Sequence, residues 1–265
     1  MCLELYSIIC LITISKVEVK PIYAAIYLVQ HYTMEELLSL LIKKSDHKHY
    51  LGVVRDMTLH LDLSKGAQKK GGFKLASFGM ANHHLFGASF DICTKQTFYT
   101  AIQESEGKVK LTQNIPHDNI TQICNLAMEI VCLVWGQVLL DLVYMFVKKC
   151  IVSCGNPPFP IPKMWFVDAA LAVEHITGED MGCAFLLVET IEDQVKFRKY
   201  MNNVSAVPLS FNQNEDTKQA KFLVFMQHVQ YYKTRKLAFI SDYQGKLLLC
   251  CSLLLVSKSL ITPCD

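Results

Sequence analysis

The stretch Asn125–Lys149, NLAMEIVCLVWGQVLLDLVYMFVKK, narrows the fold of this 265-residue chain more than any other feature. A run of that length and composition is either a bilayer span or the central helix of a globular domain. On a helix, Glu129, Gly136, Gln137, Asp141, Tyr144 and Lys148 fall within an arc of roughly 140°. A bilayer span would not keep that stripe, because each carboxylate at mid-membrane costs about 3 kcal/mol. The expectation is therefore an amphipathic helix packed on a soluble domain, capped by Asp118 or Asn119 and ending near Lys149, with no membrane partner. The alternative, a membrane-associated protein, would use this helix with Met1–Ile14 and the Leu-rich C-terminal run. Met1–Ile14 holds Glu4 and no cationic side chain, a poor signal peptide.

Strand patterns flank the helix. Thr58–Ser64 (TLHLDLS) alternates with period two, the turn KGAQKKGG follows, and then come the apolar stretches FKLASFGMA and LFGASFDICTKQTFY. SEGKVKLTQN reads as a turn and short strand, and GNPPFPIP, Gly155–Pro162, is a breaker cluster at an internal boundary. Beyond it MWFVDAALAVEHI and CAFLLVETI are apolar runs. A helix is expected from Lys218 to about Tyr231, capped by Asp216 or Thr217, and KLAFISDYQG reads as strand into loop. Residues 1–45 show no clear period. The order of strands, long helix, strands, helix and strand is that of an α+β domain with two lobes and a cleft.

Lys and Arg number 26 against 24 Asp and Glu, and the basic residues are scattered, so the chain lacks the basic face of a nucleic-acid binder. Its 11 cysteines are an odd number in a long chain, which points to free thiols and a cytoplasmic setting rather than a disulfide scaffold.

Four places carry chemistry. In SDYQG, Asp242 and Gln244 stand two residues apart, so an extended backbone turns both to one side, where they suit Mg²⁺ or a base orienting a hydroxyl. In KKGGFKLASFG, paired glycines let backbone approach a phosphate that Lys74 meets as a point charge. No Walker loop and no common protein-kinase signature is present. Glu189 ends an apolar strand, where carboxylate and backbone can read an adenine. His228 is a lone histidine on a mostly apolar helix, with Cys250, Cys251 and Cys264 the ligand types after it.

The order and spacing of CAFLLVETIEDQVKFRKYMNN and KFLVFMQHVQYYKTRKLAFISDYQG resemble the α-kinase domain, an atypical protein-kinase family, in a form like those of mushroom-forming fungi. GGFKLASFG and the Trp-containing helix support the likeness, which runs from about Leu51 to Gly245. The resemblance implies a two-lobed, atypical protein-kinase-like α+β domain over residues 46–245, preceded by an extension (1–45) and followed by an apolar tail (246–265). It implies an ATP-dependent serine/threonine kinase acting on a protein substrate. Lys74 and Arg55 would contact ATP, Glu189 the adenine, Asp242 would be the catalytic acid, Gln244 a Mg²⁺ ligand and His228 a zinc ligand.

After Gly245 the chain reads KLLLCCSLLLVSKSLITPCD, in which Asp265 is the only carboxylate residue. The second metal ligand, the Gly-rich loop and three zinc ligands that the resemblance implies are absent from this run. The expectation is an incomplete C-terminal lobe with a vestigial zinc position. A nucleotide-binding pseudokinase or interaction module is then the alternative function.

Overall fold

A computed structural model describes residues 19–42, 50–62, 68–105, 108–175, 183–190, 198–201, 207–241, 243–245 and 249–250. The first strand, β1 (Val19–Val29), arises inside the segment expected to be an extension, and it is integral to the sheet. It pairs antiparallel with β2 (Leu51–Asp62) on one side and with β8 (Ala169–Glu174) on the other. The sequence shows no period there because apolar side chains stand on both faces from Ile22 to Val29: Ile22, Ala24 and Ile26 enter one apolar cluster, Tyr27 and Val29 pack on the other, and Tyr23 is exposed. The short helix α1 (Met34–Ile42) follows, opened by a capping box in which Thr33 Oγ1 accepts from Glu36 N–H and Thr33 N–H donates to Glu36 Oε2 (2.7 Å).

The sheet closes on itself. β4 (Lys74–Ala81) pairs with β2 and also with β5 (Asp91–Ser105), and β5 pairs with β9 (Ala184–Glu189), which pairs with β8. The ring β4–β2–β1–β8–β9–β5 is antiparallel throughout. β3 (Lys69–Lys70) adds to β4, and the far half of β5 forms a hairpin with β6 (Lys108–Pro116). Alternating side chains fill the interior with Ile22, Ile26, Met57, Leu59, Leu61, Ile92, Phe185 and Leu187, while Ala24, Ala170 and Ala172 leave them room. At Gly79 a Cβ would lie 2.2 Å from the His60 carbonyl oxygen, so only glycine admits β4 this close to β2.

The long helix α2 (Asn119–Cys154) lies against the outer face of this wall. Asp118 caps it by accepting from Thr121 N–H (3.0 Å), and Gly155, at φ 86°, ends it five residues beyond the expected stop at Lys149. It is long and apolar enough to cross a membrane, yet most of its apolar length is buried against protein. The polar stripe divides: Gly136 is buried, and the Tyr144 hydroxyl donates to Pro162 O (2.7 Å) and accepts from Met164 N–H (2.8 Å). Glu129 turns to the sheet, and Asp141 and Lys148 face solvent. A simple amphipathic helix is therefore not what forms; α2 is a core helix with polar side chains that reach specific partners.

Past α2, β7 (Trp165–Phe166) precedes β8, and β10 (Arg198–Lys199) follows β9. The helix α3 (Asn214–Lys233) starts earlier than expected, with Gln213 at the N-cap position. Asp216 does not cap it. Its carboxylate, 1% exposed, is instead held by the Arg198 guanidinium from β10. α3 ends in a turn where Arg235 and Lys236 take positive φ (55° and 69°), so the strand expected from Lys236 does not start there. β11 (Gln244–Gly245) pairs with β10, and β12 (Leu249–Cys250) runs parallel to β7.

Candidate functional site

Lys74 opens β4 opposite Thr97 of β5. Its ammonium donates to both carboxylate oxygens of Glu129 on α2, at 2.5 and 2.6 Å, with the two side chains 31% and 25% exposed. Directly opposed residues of antiparallel strands share a face, so Lys74 and Thr97 share theirs with Lys95 and Cys93, at steps of two along β5. That face turns toward α2, since Cys93 belongs to the cluster that α2 buries. Lys95, paired with Ala76 on one side and Leu186 on the other, is half-buried, and no salt bridge to it occurs among the described residues. Burial raises the Cys93 thiol pKa, partly offset by the charges of Lys95 and Lys69. Three lysines thus gather on one sheet face, one of them anchored by a carboxylate. Of these three, the sequence pattern marks only Lys74. Glu129 lies 55 residues along the chain from it, a pairing no local pattern encodes.

Glu189 closes β9 opposite Ile92. Along β5, Ile92 and Thr97 differ by an odd number of residues, so Glu189 and Lys74 point to opposite faces of the sheet. About five strand residues, roughly 17 Å, separate their rows. The face toward α2 at that end belongs to Val188. The Glu189 carboxyl has its pKa raised by burial first, then by the charge of Asp168, with a side-chain hydrogen bond from Trp165 opposing. Its N–H donates to Asp168 O at 3.2 Å.

Arg55 is exposed on β2 opposite Ile26. Leu61 faces Gly79, and from that row Lys74 lies in one direction and Arg55 in the other, so the structure does not bring the two together.

Asp242 lies outside the described residues, but its flanks are held firmly. The buried Gln227 amide donates to Ile240 O (2.6 Å). Gln230, fully buried, accepts from Ile240 N–H at 3.0 Å through Oε1 and donates to the Tyr243 hydroxyl at 3.1 Å through Nε2. Tyr200 N–H donates to Tyr243 O (2.9 Å), and the backbone of Gln244 sits beside Lys199. His228 is exposed on α3, and no three His, Cys, Asp or Glu side chains converge as metal ligands among the described residues. The side chains of Cys250, Cys251 and Cys264, the ligand types that follow His228, lie outside the described residues.

Comparison with solved structures finds α-kinase domains. An α-kinase from Entamoeba histolytica superposes with a TM-score of 0.55 at 13% identity, over 92% of this chain and 81% of that one. The α-kinase domain of myosin-II heavy chain kinase A in complex with AMP-PNP gives 0.47 at 10% identity, over 91% and 89%. The same domain in complex with AMP gives 0.47 at 10%, over 91% of each chain. No family model and no curated protein matches the sequence. The chain has the mixed helix-and-strand fold of α-kinase domains.

Proposed function

We propose that this chain binds ATP in the manner of an α-kinase domain and transfers its γ-phosphoryl group to a serine or threonine of a protein inside the cell. The Lys74–Glu129 pair carries the reading. A lysine held by a helix carboxylate is positioned rather than mobile, and phosphoryl transfer depends on such placed charges. Lys95, on the same face and without an ion pair among the described residues, supplies a second cation to the phosphates. The adenine would be read by the backbone at the end of β9, because the register turns the Glu189 carboxylate away from the lysine face. Mg²⁺, when bound with ATP, would neutralise phosphate charge, with Asp242 and Gln244 its expected neighbours. Asp242, on a segment clamped by Gln227 and Gln230, would orient the acceptor hydroxyl.

Thermal melts with and without Mg-ATP, followed by transfer of labelled phosphate to a mixed protein substrate, test the reading. A ligand at about 100 times its Kd stabilises by about 2.7 kcal/mol, a shift readily seen in a melt. Lys95→Ala and Lys74→Ala should each weaken ATP by about tenfold or more, and Asp242→Ala should abolish transfer while sparing binding. An unchanged melting point at millimolar ATP would sink the proposal. A second reading, nucleotide binding without turnover, is favoured by the lack of any carboxylate residue between Asp242 and Asp265. ATP stabilisation with no transfer would select it.

A further inference from the structure

A cavity of about 270 Å³ opens where β1 ends and β8 begins, with one wall formed by α2. Its described lining includes neither Lys74, Lys95 nor Glu189, and it adjoins the end of β9 through Asp168, whose carbonyl accepts from Glu189 N–H, and Ala169, which pairs with Val188. Phe86, Phe166 and Tyr32 contribute aromatic surface, Leu133 and Val134 aliphatic surface, and Asp168 and Gln137 polar groups beside Gln30 and His31. The Gln137 amide nitrogen is already used, donating to Asp141 Oδ1 at 3.1 Å, which leaves its oxygen as an acceptor. Asp168 is an exposed residue at the rim, and no hydrogen bond or ion pair to its carboxylate occurs among the described residues. Among the described residues no lysine or arginine lines the space, and His31 is the one basic side chain there.

We infer that this cavity binds a small organic cation, a primary ammonium on an apolar or aromatic body, with the charge at Asp168 and Gln137 and the body against Phe86 and Phe166. The chemistry excludes the nearest competitors. A hard divalent ion keeps oxygen ligands or water all round it, and aromatic walls beside a single carboxylate offer it little beyond that one oxygen group. An anion would meet the Asp168 carboxylate, with His31 the one basic side chain among the described lining residues to set against it. An ammonium gains the carboxylate, the amide oxygen and the negative faces of the rings together. Asp168 also raises the Glu189 pKa, after burial, so a cation beside it relieves a strain between two carboxylates. The wall residues Leu133 and Val134 lie one turn beyond Glu129 on α2.

Calorimetric titration of the full chain with benzylammonium chloride and, separately, with neutral benzyl alcohol tests this at fixed salt. Benzylammonium should bind about tenfold or more tighter than the alcohol. Asp168→Asn should erase that difference while leaving the ATP-induced thermal shift in place. Equal affinity for the two probes overturns the inference, as does absence of benzylammonium binding up to about 10 mM. Displacement of benzylammonium by ATP also overturns it, by making the cavity part of the nucleotide site. If Asp168→Asn fails to fold, the comparison of the two probes on the wild-type chain decides alone. Because the readout needs no ATP, loss of the kinase reading leaves it intact.

Discussion

The closed sheet and the α3 region are stabilised by different means. In the ring every strand has two neighbours, and the interior is a stack of aliphatic side chains with alanines where space is short. Around α3 the helix also buries Phe222, Leu223 and Met226, but the chain segments beside it are fastened by polar groups: Arg198 to Asp216, Gln227 to Ile240 and Ser241, Gln230 to Ile240 and Tyr243. Hydrophobic burial is non-directional and tolerates a change of shape, whereas a buried hydrogen bond is costly once a partner is missing. The part carrying the proposed catalytic segment is thus placed with the more directional interactions, and it is the more brittle.

The largest effect is expected at the ion pair. Arg198→Met strands the Asp216 carboxylate, 1% exposed, and should cost about 3–5 kcal/mol in chemical denaturation. The double replacement Arg198→Met with Asp216→Leu should recover most of that loss, since an apolar pair leaves no charge buried. A single variant within about 1 kcal/mol of wild type would remove the contrast between the regions. In the ring, Leu59→Ala, at a side chain of 0% exposure, should cost about 2–5 kcal/mol from lost burial and cavity. No polar partner is stranded there, so no second substitution of the charge-removing kind should rescue it.

Gln230→Leu comes next, at about 2–3 kcal/mol, because Ile240 N–H and the Tyr243 hydroxyl each lose a buried partner. Hydrogen exchange sharpens the comparison: the Ile240 amide should lose protection while the amides of β1 keep theirs. Uniform loss in both regions would mean that the glutamine supports the whole fold rather than the segment around Asp242.

The sequence made these regions legible to different degrees. The long helix could be read because Asp118 and Gly155 mark its ends, and the period-two run from Thr58 became the second half of β2. β1 is not legible as a strand because Ile22 to Val29 are apolar at every position, including the exposed Tyr23, which leaves no alternation to read. α3 was placed four residues late because Asp216 has the chemistry of a cap, and its partner Arg198 is 18 residues away across a loop. At the site, Lys74 stands out beside its glycines, but Glu129 looked like one member of a solvent stripe. Lys95 sat unremarked in CTKQT until the register of three strands placed it on the face of Lys74. Local chemistry marks caps and turns; long-range partners emerge only from the pairing of strands.

The smallest effect separates the two faces of the sheet at the end of β9. Glu189 has a folded pKa above its ordinary 4.5, through burial and the charge of Asp168. Between the unfolded and folded values the native state binds more protons, so stability falls as pH rises through that window. Below the unfolded value both states are protonated and the penalty vanishes; above the folded value it is fully present. Glu189→Gln should therefore stabilise at pH 7, by no more than about 1 kcal/mol for a group that solvent still screens, and should have no such effect near pH 3. The same substitution leaves the backbone of β9 in place, so ATP affinity should stay within about twofold of wild type if the backbone reads the adenine. A loss of tenfold or more would put the carboxylate itself on the nucleotide and reverse the assignment of faces drawn from the strand register.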